Sequence, residues 1–217
     1  SQEWPPKGLK YFYADDSVVI LHGDCREIVP TLGRFDLLLT DPPYGIGANK
    51  QTLGTGKKQF HRGGDWDNAR GDVLPFIPVA TRHIIWGGNY WADLLPVTND
   101  WLVWHKKNDG LSFSEVEMAW SDLGKNTRIF SHHWSGEQKM HPTAKPLVLM
   151  LWCIGLAGDV QTILDPFAGS GTTGRATKDL GRKAVLIERE ERYCEIAARR
   201  MLQGVLALDY TDQILTP

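Results

Sequence analysis

The chain has 217 residues, a mass of 24.4 kDa, a formal net charge of -2 and a sequence pI near 6.4. That length suits one α/β domain, because a chain of this size buries roughly 70% of its unfolded surface around a single core. The near-neutral balance excludes a protein that coats nucleic acid through bulk charge, so any such contact has to come from a local patch.

Cys25, Cys153 and Cys194 are widely spaced and never form a CxxC pair, which argues against a disulfide framework or a zinc cluster and fits a reducing compartment. No apolar run approaches the roughly 18 residues of a membrane span. Ser1 to Lys10 lacks the pattern of a signal peptide. The expectation is a cytoplasmic protein with no metal and no membrane partner.

In chain order, the pattern predicts a strand at Val18 to Leu21, a helix at Arg26 to Leu32 and a strand at Asp36 to Leu39. Gly45 to Gly71 follows, rich in Gly and polar residues and without periodicity, and reads as a mobile loop. In it Lys50, Lys57, Lys58, Arg62 and Arg70 outnumber Asp65 and Asp67, a local positive excess suited to phosphate or simply to solvent. Next come a helix at Val73 to Arg82, a strand at Ile84 to Trp86, a helix at Asn89 to Leu95, and strands at Trp101 to Trp104 and Val116 to Trp120. Gly124 to Lys145 interrupts the rhythm and carries Arg128, His132, His133, Lys139 and His141. The chain then resumes with a helix at Pro146 to Ala157, a strand at Thr162 to Leu164, a helix at Thr172 to Leu180, a strand at Ala184 to Ile187 and a helix at Glu191 to Leu202. This alternation implies one domain over residues 1–217, an α/β, doubly wound, mostly parallel sheet with helices on both faces.

Ile163 to Gly174 is a strand, a glycine turn and a helix start, with Gly169, Gly171 and Gly174 spelling GxGxxG. Glycine there lets the backbone approach a ligand, and the helix start presents free N–H groups. Glu188 closes the next strand 19 positions after Gly169, where a carboxylate can accept from ribose hydroxyls. Both a nicotinamide dinucleotide and S-adenosylmethionine carry such a ribose. Asp165 just before the turn tilts the balance to the latter, since its carboxylate would face a positive methionine amine and repel a pyrophosphate.

Leu37 to Tyr44 is an apolar strand ending in Asp41, Pro42, Pro43 and Tyr44. The prolines stop the strand and stiffen the turn. They leave two acceptors, the Asp41 carboxylate and the Pro42 carbonyl, to match the two N–H donors of an exocyclic amino group. Such acceptors draw the nitrogen toward tetrahedral geometry and free its lone pair to attack a methyl group, with positioning and charge stabilisation carrying the rate. Tyr44 would stack on a base swung out of its duplex.

Together these residues resemble the β group of DNA amino-methyltransferases, the N6-adenine and N4-cytosine methylases, in which Asp-Pro-Pro-Tyr precedes the glycine loop. The resemblance spans roughly Val18 to Leu202 and implies a Rossmann-like methyltransferase sheet, S-adenosylmethionine as cofactor and duplex DNA as partner. It carries Asp41, Pro42, Pro43 and Tyr44 over as catalytic. It makes Asp24 the holder of the cofactor adenine within His22-Gly-Asp-Cys25, with Cys25 beside it. It assigns Asp165, Phe167, Ala168, Gly169, Ser170, Gly171, Thr172 and Glu188 to the cofactor, and places Lys145 of His141-Pro-Thr-Ala-Lys-Pro146 at the methionine pocket.

Asp at the first position of the tetrad favours adenine N6 over cytosine N4, and the order of the motifs favours DNA over RNA or protein. The chain departs from the family in having only about 20 residues between Trp120 and His141, too few for a separate target-recognition domain. Residues 121–145 and the Gly45 to Gly71 loop are therefore expected to read DNA, with Lys50, Lys57, Lys58, Arg62, Arg128 and Lys139 as contacts. The resemblance also admits a bacterial or phage origin, a homodimer, and a restriction endonuclease or separate recognition subunit as partner. A non-catalytic subunit of the same fold should have lost one of the two motifs, and both are intact here.

Overall fold

The computed structural model describes residues 4–46, 52–53, 60–61, 70–108, 114–133 and 145–203. In chain order the strands are β1 (Tyr13–Ala14), β2 (Val18–His22), β3 (Phe35–Thr40), β4 (Thr52–Leu53), β5 (Phe60–His61), β6 (Ala80–Trp86), β7 (Trp101–His105), β8 (Val116–Ser121), β9 (Arg128–Ser131), β10 (Thr162–Asp165) and β11 (Lys183–Glu188). The helices are α1 (Cys25–Ile28), α2 (Leu147–Leu156), α3 (Thr172–Asp179) and α4 (Glu191–Leu202). Nine strands form one sheet in the order β1-β2-β11-β10-β3-β6-β8-β7-β9, and β4 pairs with β5 apart from it.

The contiguous block β2-β11-β10-β3-β6 is parallel, as is the pair β7-β9, while β1, and β8 on both of its sides, run antiparallel to their neighbours. Strands of the parallel block are apolar on both faces because both are covered. Val18 and Ile20, Leu37 and Leu39, and Ile84 and Trp86 point into a layer with α2, α3 and α4. Their alternates Val19, Leu21, Leu38 and Ile85 join Cys25, Val29, Phe76 and Trp91 in the opposite layer. Two-residue periodicity along each strand thus builds two cores from one sheet. Trp86, Trp91 and Trp104 are fully buried in these cores.

Several elements differ from expectation, and proline explains two of the differences. The helix expected over Val73 to Arg82 is a 3-10 turn at Leu74–Val79, after which Ala80 already begins β6 opposite Phe35. Pro75 and Pro78 lack the N–H donors an α-helix needs there. Arg26 to Leu32 divides into α1 and a 3-10 turn at Val29–Thr31, with Pro30 near the joint. Asn89 to Leu95 is only a 3-10 turn at Gly88–Trp91, entered through left-handed Gly87 and followed by turns up to Pro96. The segment read as an interruption contains β9, which adds to the sheet edge beside β7. The Gly45 to Gly71 loop lies mostly outside the described residues, as does 134–144 of the second interruption.

The connection after β10 passes to α3 on one face, and the one after β3 passes to Val73 and Phe76 on the other. Adjacent strands whose connections leave to opposite faces open a crevice at their carboxyl ends. Gly171 caps α3 there at φ 77, and a Cβ added to it would stand 2.7 Å from Ala197 Cβ of α4. Gly171→Ala combines left-handed strain with overpacking and should destabilise the protein by roughly 1–3 kcal/mol. Thermal unfolding would register this as a lower midpoint, and an unchanged midpoint would show that α4 yields without cost.

Candidate active site

The carboxyl ends of β2, β11, β10 and β3 lie side by side, with register partners Glu188 and His22, Asp165 and Leu186, and Leu164 and Leu38. Each strand delivers one carboxylate to this edge: Asp24 two residues past β2, Glu188 ending β11, Asp165 ending β10 and Asp41 just past β3. Three strand intervals of about 4.8 Å make a row roughly 14 Å long. Residues separated by up to 164 positions in sequence are brought together in this way.

Glu188 accepts the Gly169 N–H at Oε2 and the Glu190 N–H at Oε1, both at 2.8 Å, and burial raises its pKa. Asp165 is buried beneath the glycine turn. Its Oδ1 accepts from the Thr40 hydroxyl at 2.9 Å and the Phe167 N–H at 3.1 Å, and its Oδ2 accepts from the Thr173 hydroxyl at 2.6 Å. Desolvation still pushes its pKa up to about 6. The turn itself is pinned by Ala168 N–H to Ile187 O and Gly171 N–H to Ala168 O. Phe167 meets Phe76 edge-on at 5.7 Å, Ser170 is buried, and the Thr172 hydroxyl receives the Arg200 guanidinium. A Cβ added at Gly169 would meet nothing within 4 Å, so the loop has room in front of it for a ligand.

Asp24 caps α1 by accepting the Arg26 N–H at 2.9 Å, and the Arg26 guanidinium holds its carboxyl down at about 2. The Cys25 side chain belongs to the core, where burial pushes its thiol up to about 11.

Asp41 is gripped from both oxygens. The Tyr44 hydroxyl donates to Oδ1 at 2.5 Å, and Lys145 Nζ donates to Oδ2. Burial and the neighbouring Asp41 raise the Tyr44 phenol well above its ordinary range. The tetrad backbone is pinned where Gly71 N–H donates to Pro43 O at 2.8 Å, and Gly71 O in turn accepts from Trp91 Nε1 at 2.9 Å. The Tyr44 ring stacks on Tyr90 at 4.8 Å and 22°, and meets Trp91 edge-on at 6.0 Å. Gly87, at φ 68, makes room for it, since a Cβ there would lie 2.1 Å from Tyr44 Cε1.

Lys145, expected at the methionine end of a cofactor, has its ammonium on Asp41. Behind it lies Glu117, whose place on a strand face with Glu115 gave it no assigned role in the sequence. Glu117 Oε2 is 3.0 Å from Lys145 Nζ in an ion pair, and Glu117 Oε1 is 2.7 Å from Lys106 Nζ. The two lysines hold the Glu117 carboxyl at about 2 against its burial. Lys145 and Lys106 also sit 5.6 Å over the rings of Trp86 and Trp104. The available signal was a carboxylate inside the apolar run of β8 and a lysine just past β7, directly paired strands.

Of the residues expected to touch DNA, Lys50, Lys57, Lys58, Arg62 and Lys139 lie outside the described residues. Arg128 opens the edge strand β9, half-buried, with its Nε unpaired among the described residues. Among the described residues no group of three or more His, Cys, Asp or Glu side chains is placed to hold a metal.

A family model described as DNA methylase matches residues 95–199, a span that holds the glycine loop and Lys145 while leaving Asp41 to Tyr44 outside it. The chain is 25% identical to the type II methyltransferase M2.LlaDCHI of Lactococcus lactis subsp. cremoris, covering 90% of this chain and 93% of that protein. It is 26% identical to the type II methyltransferase M.HinfI of Haemophilus influenzae, covering 84% of this chain and 67% of that protein. Among solved structures, M1.HpyAVI bound to SAM superposes with a TM-score of 0.63 at 24% identity, covering 86% of this chain and all of that one. The cytosine-N4-specific PvuII DNA methyltransferase superposes at 0.61 with 16% identity, covering 96% and 94%. The fold is therefore shared with M1.HpyAVI and the PvuII DNA methyltransferase, and residues 95–199, nearly half of the chain, match the DNA methylase family model.

Proposed function

We propose that this methyltransferase moves a methyl group from S-adenosylmethionine to adenine N6 of a base swung out of duplex DNA. The observation that carries this reading is the Asp41-Pro42-Pro43-Tyr44 turn, fixed at the mouth of the crevice with its carboxylate oriented from both oxygens. Asp41 and the Pro42 carbonyl accept the two N–H bonds of the amino group and stabilise the positive charge that develops on nitrogen. The proton then leaves by way of the Asp41 carboxylate. The base meets a column of Tyr44 on Tyr90 and so stacks against a ring already held in place.

The row of carboxylates supports the choice of cofactor. Asp24 suits the adenine amino group, Glu188 the ribose hydroxyls and Asp165 the methionine ammonium, in that order toward Asp41. The open space before Gly169 accommodates the chain between them. Bound there, S-adenosylmethionine supplies an electrophilic methyl group on its sulfonium. The aspartate that opens the tetrad supports adenine over cytosine, and the type II names of two relatives support a place beside a restriction endonuclease.

The direct test is incubation with methyl-labelled S-adenosylmethionine and unmethylated genomic DNA, followed by digestion to nucleosides. Label is expected in N6-methyladenosine; label in N4-methylcytosine would overturn the base assignment while keeping the chemistry, and unlabelled DNA would remove DNA as the acceptor.

Asp41→Ala should lower transfer by at least about 100-fold, the usual scale for removing a preorganised charge-stabilising group, with cofactor affinity nearly unchanged by calorimetry. Near-full activity in that variant would rule out the proposed role.

Asp165 generates a pH prediction. Its folded pKa, about 6, lies above its unfolded value, so the stability it contributes is present at low pH and lost as pH rises through 6. At pH 8 the apo protein carries a buried charge at a cost on the order of 1–3 kcal/mol. Asp165→Asn keeps the Oδ1 acceptor, and its amide can donate to the Thr173 hydroxyl, which turns toward Met150 Sδ at 3.9 Å. The variant should therefore unfold at a higher temperature than the parent at pH 8, with a gain that shrinks as pH falls below 6 and vanishes toward the unfolded value near 3.8, while losing cofactor affinity. A gain independent of pH would mean that the charge is not its source.

A further inference from the structure

We propose that Glu117 is a positioning residue for methyl transfer, acting through Lys145 to hold the Asp41 carboxylate in the orientation that receives the target amino group. The inference rests on the role proposed for Asp41 and extends the site to the third strand beyond β10.

A carboxylate turns easily about its last bond, so an acceptor that has to meet a flat amino group needs both oxygens fixed. Tyr44 fixes Oδ1 and comes from the same rigid turn. Oδ2 depends on Lys145, whose ammonium ends a flexible four-carbon stem entering from 104 residues away. Two contacts hold that stem besides Asp41: the Trp86 ring 5.6 Å from Nζ, and Glu117 Oε2 at 3.0 Å. Glu117 is itself anchored on β8 opposite Trp104 and tied to Lys106 at 2.7 Å.

Charge leads to the same conclusion. An ammonium beside Asp41 opposes the positive charge that grows on the amine nitrogen as the methyl group arrives. A second carboxylate on its far side offsets that opposition, so Asp41 keeps a steady cation without losing its use as an anionic acceptor. The Glu117 carboxylate brings a full negative charge to within 3.0 Å of the Lys145 ammonium. Glu117→Gln preserves shape and removes that charge.

The test uses the full chain with S-adenosylmethionine and unmethylated duplex DNA, measuring single-turnover transfer and cofactor Kd. Glu117→Gln is expected to slow transfer by about 10- to 100-fold, the scale of a misplaced reacting group, with cofactor Kd held within about twofold. In a Lys145→Met background the same change should cost nothing further, because its effect travels through Lys145. If Glu117→Gln does not fold, Glu117→Gln/Lys106→Met removes one charge of each sign, and the same loss of transfer is expected with a parent-like unfolding midpoint. Transfer within twofold of the parent, a loss confined to cofactor Kd, or a loss additive with Lys145→Met would each overturn the proposal. Absence of transfer by the parent itself would instead overturn the function on which it rests.

Discussion

A charged side chain at the end of a strand buried on both faces has to be partnered inside the protein, and this constraint organises the crevice. Asp41 leaves β3 between two covered faces, and an unpartnered carboxylate there would be costly. Its partner Lys145 is itself buried and requires Glu117, which in turn receives Lys106. The result is an alternating string of two anions and two cations running from the tetrad to the antiparallel side of the sheet. It ties the turn after β3 to β7, β8 and the entry of α2.

The other half of the crevice follows a different logic. Asp165 and Glu188 have no cation within their described hydrogen-bonding partners; hydroxyls and backbone N–H groups satisfy them, and burial leaves both pKa values raised. A site arranged this way is ready for a ligand that brings positive charge and hydroxyl donors. The half around Asp41 is internally neutralised and suits a neutral amino group. The contrast lies across neighbouring strands, β10 and β3, at the point where their connections part to opposite faces.

Much of this was legible in the sequence because it is local. Apolar runs of strand length, the glycine turn and the double proline each act over fewer than a dozen residues, and they located β2, β3, β10, β11 and α2 to α4 within a few positions. The helices misjudged were those where apolar spacing competed with Pro75, Pro78 or the Gly87-Gly88 pair, and backbone chemistry prevailed over periodicity. What stayed hidden was pairing across the sheet. Glu117 and Lys106 look like ordinary polar residues until the antiparallel register of β7 and β8 places them on one side, and Lys145 gives no sign in sequence of reaching Asp41. Arg128, expected to read base edges from a loop, turned out to open a strand because a four-residue edge strand has too little pattern to announce itself.

Thr40 joins the two halves. It is the last residue of β3, its backbone leads directly into Asp41, and its hydroxyl donates to Asp165 Oδ1. One short side chain thereby links the Asp165 half of the crevice to the Asp41 half. Its vocabulary is correspondingly small: serine retains the hydroxyl, valine copies the outline but leaves Asp165 Oδ1 with the Phe167 N–H alone, and anything longer pushes two strands apart. Position 40 acts as a spacer between the two halves, and its tolerance for change should be among the narrowest along the chain.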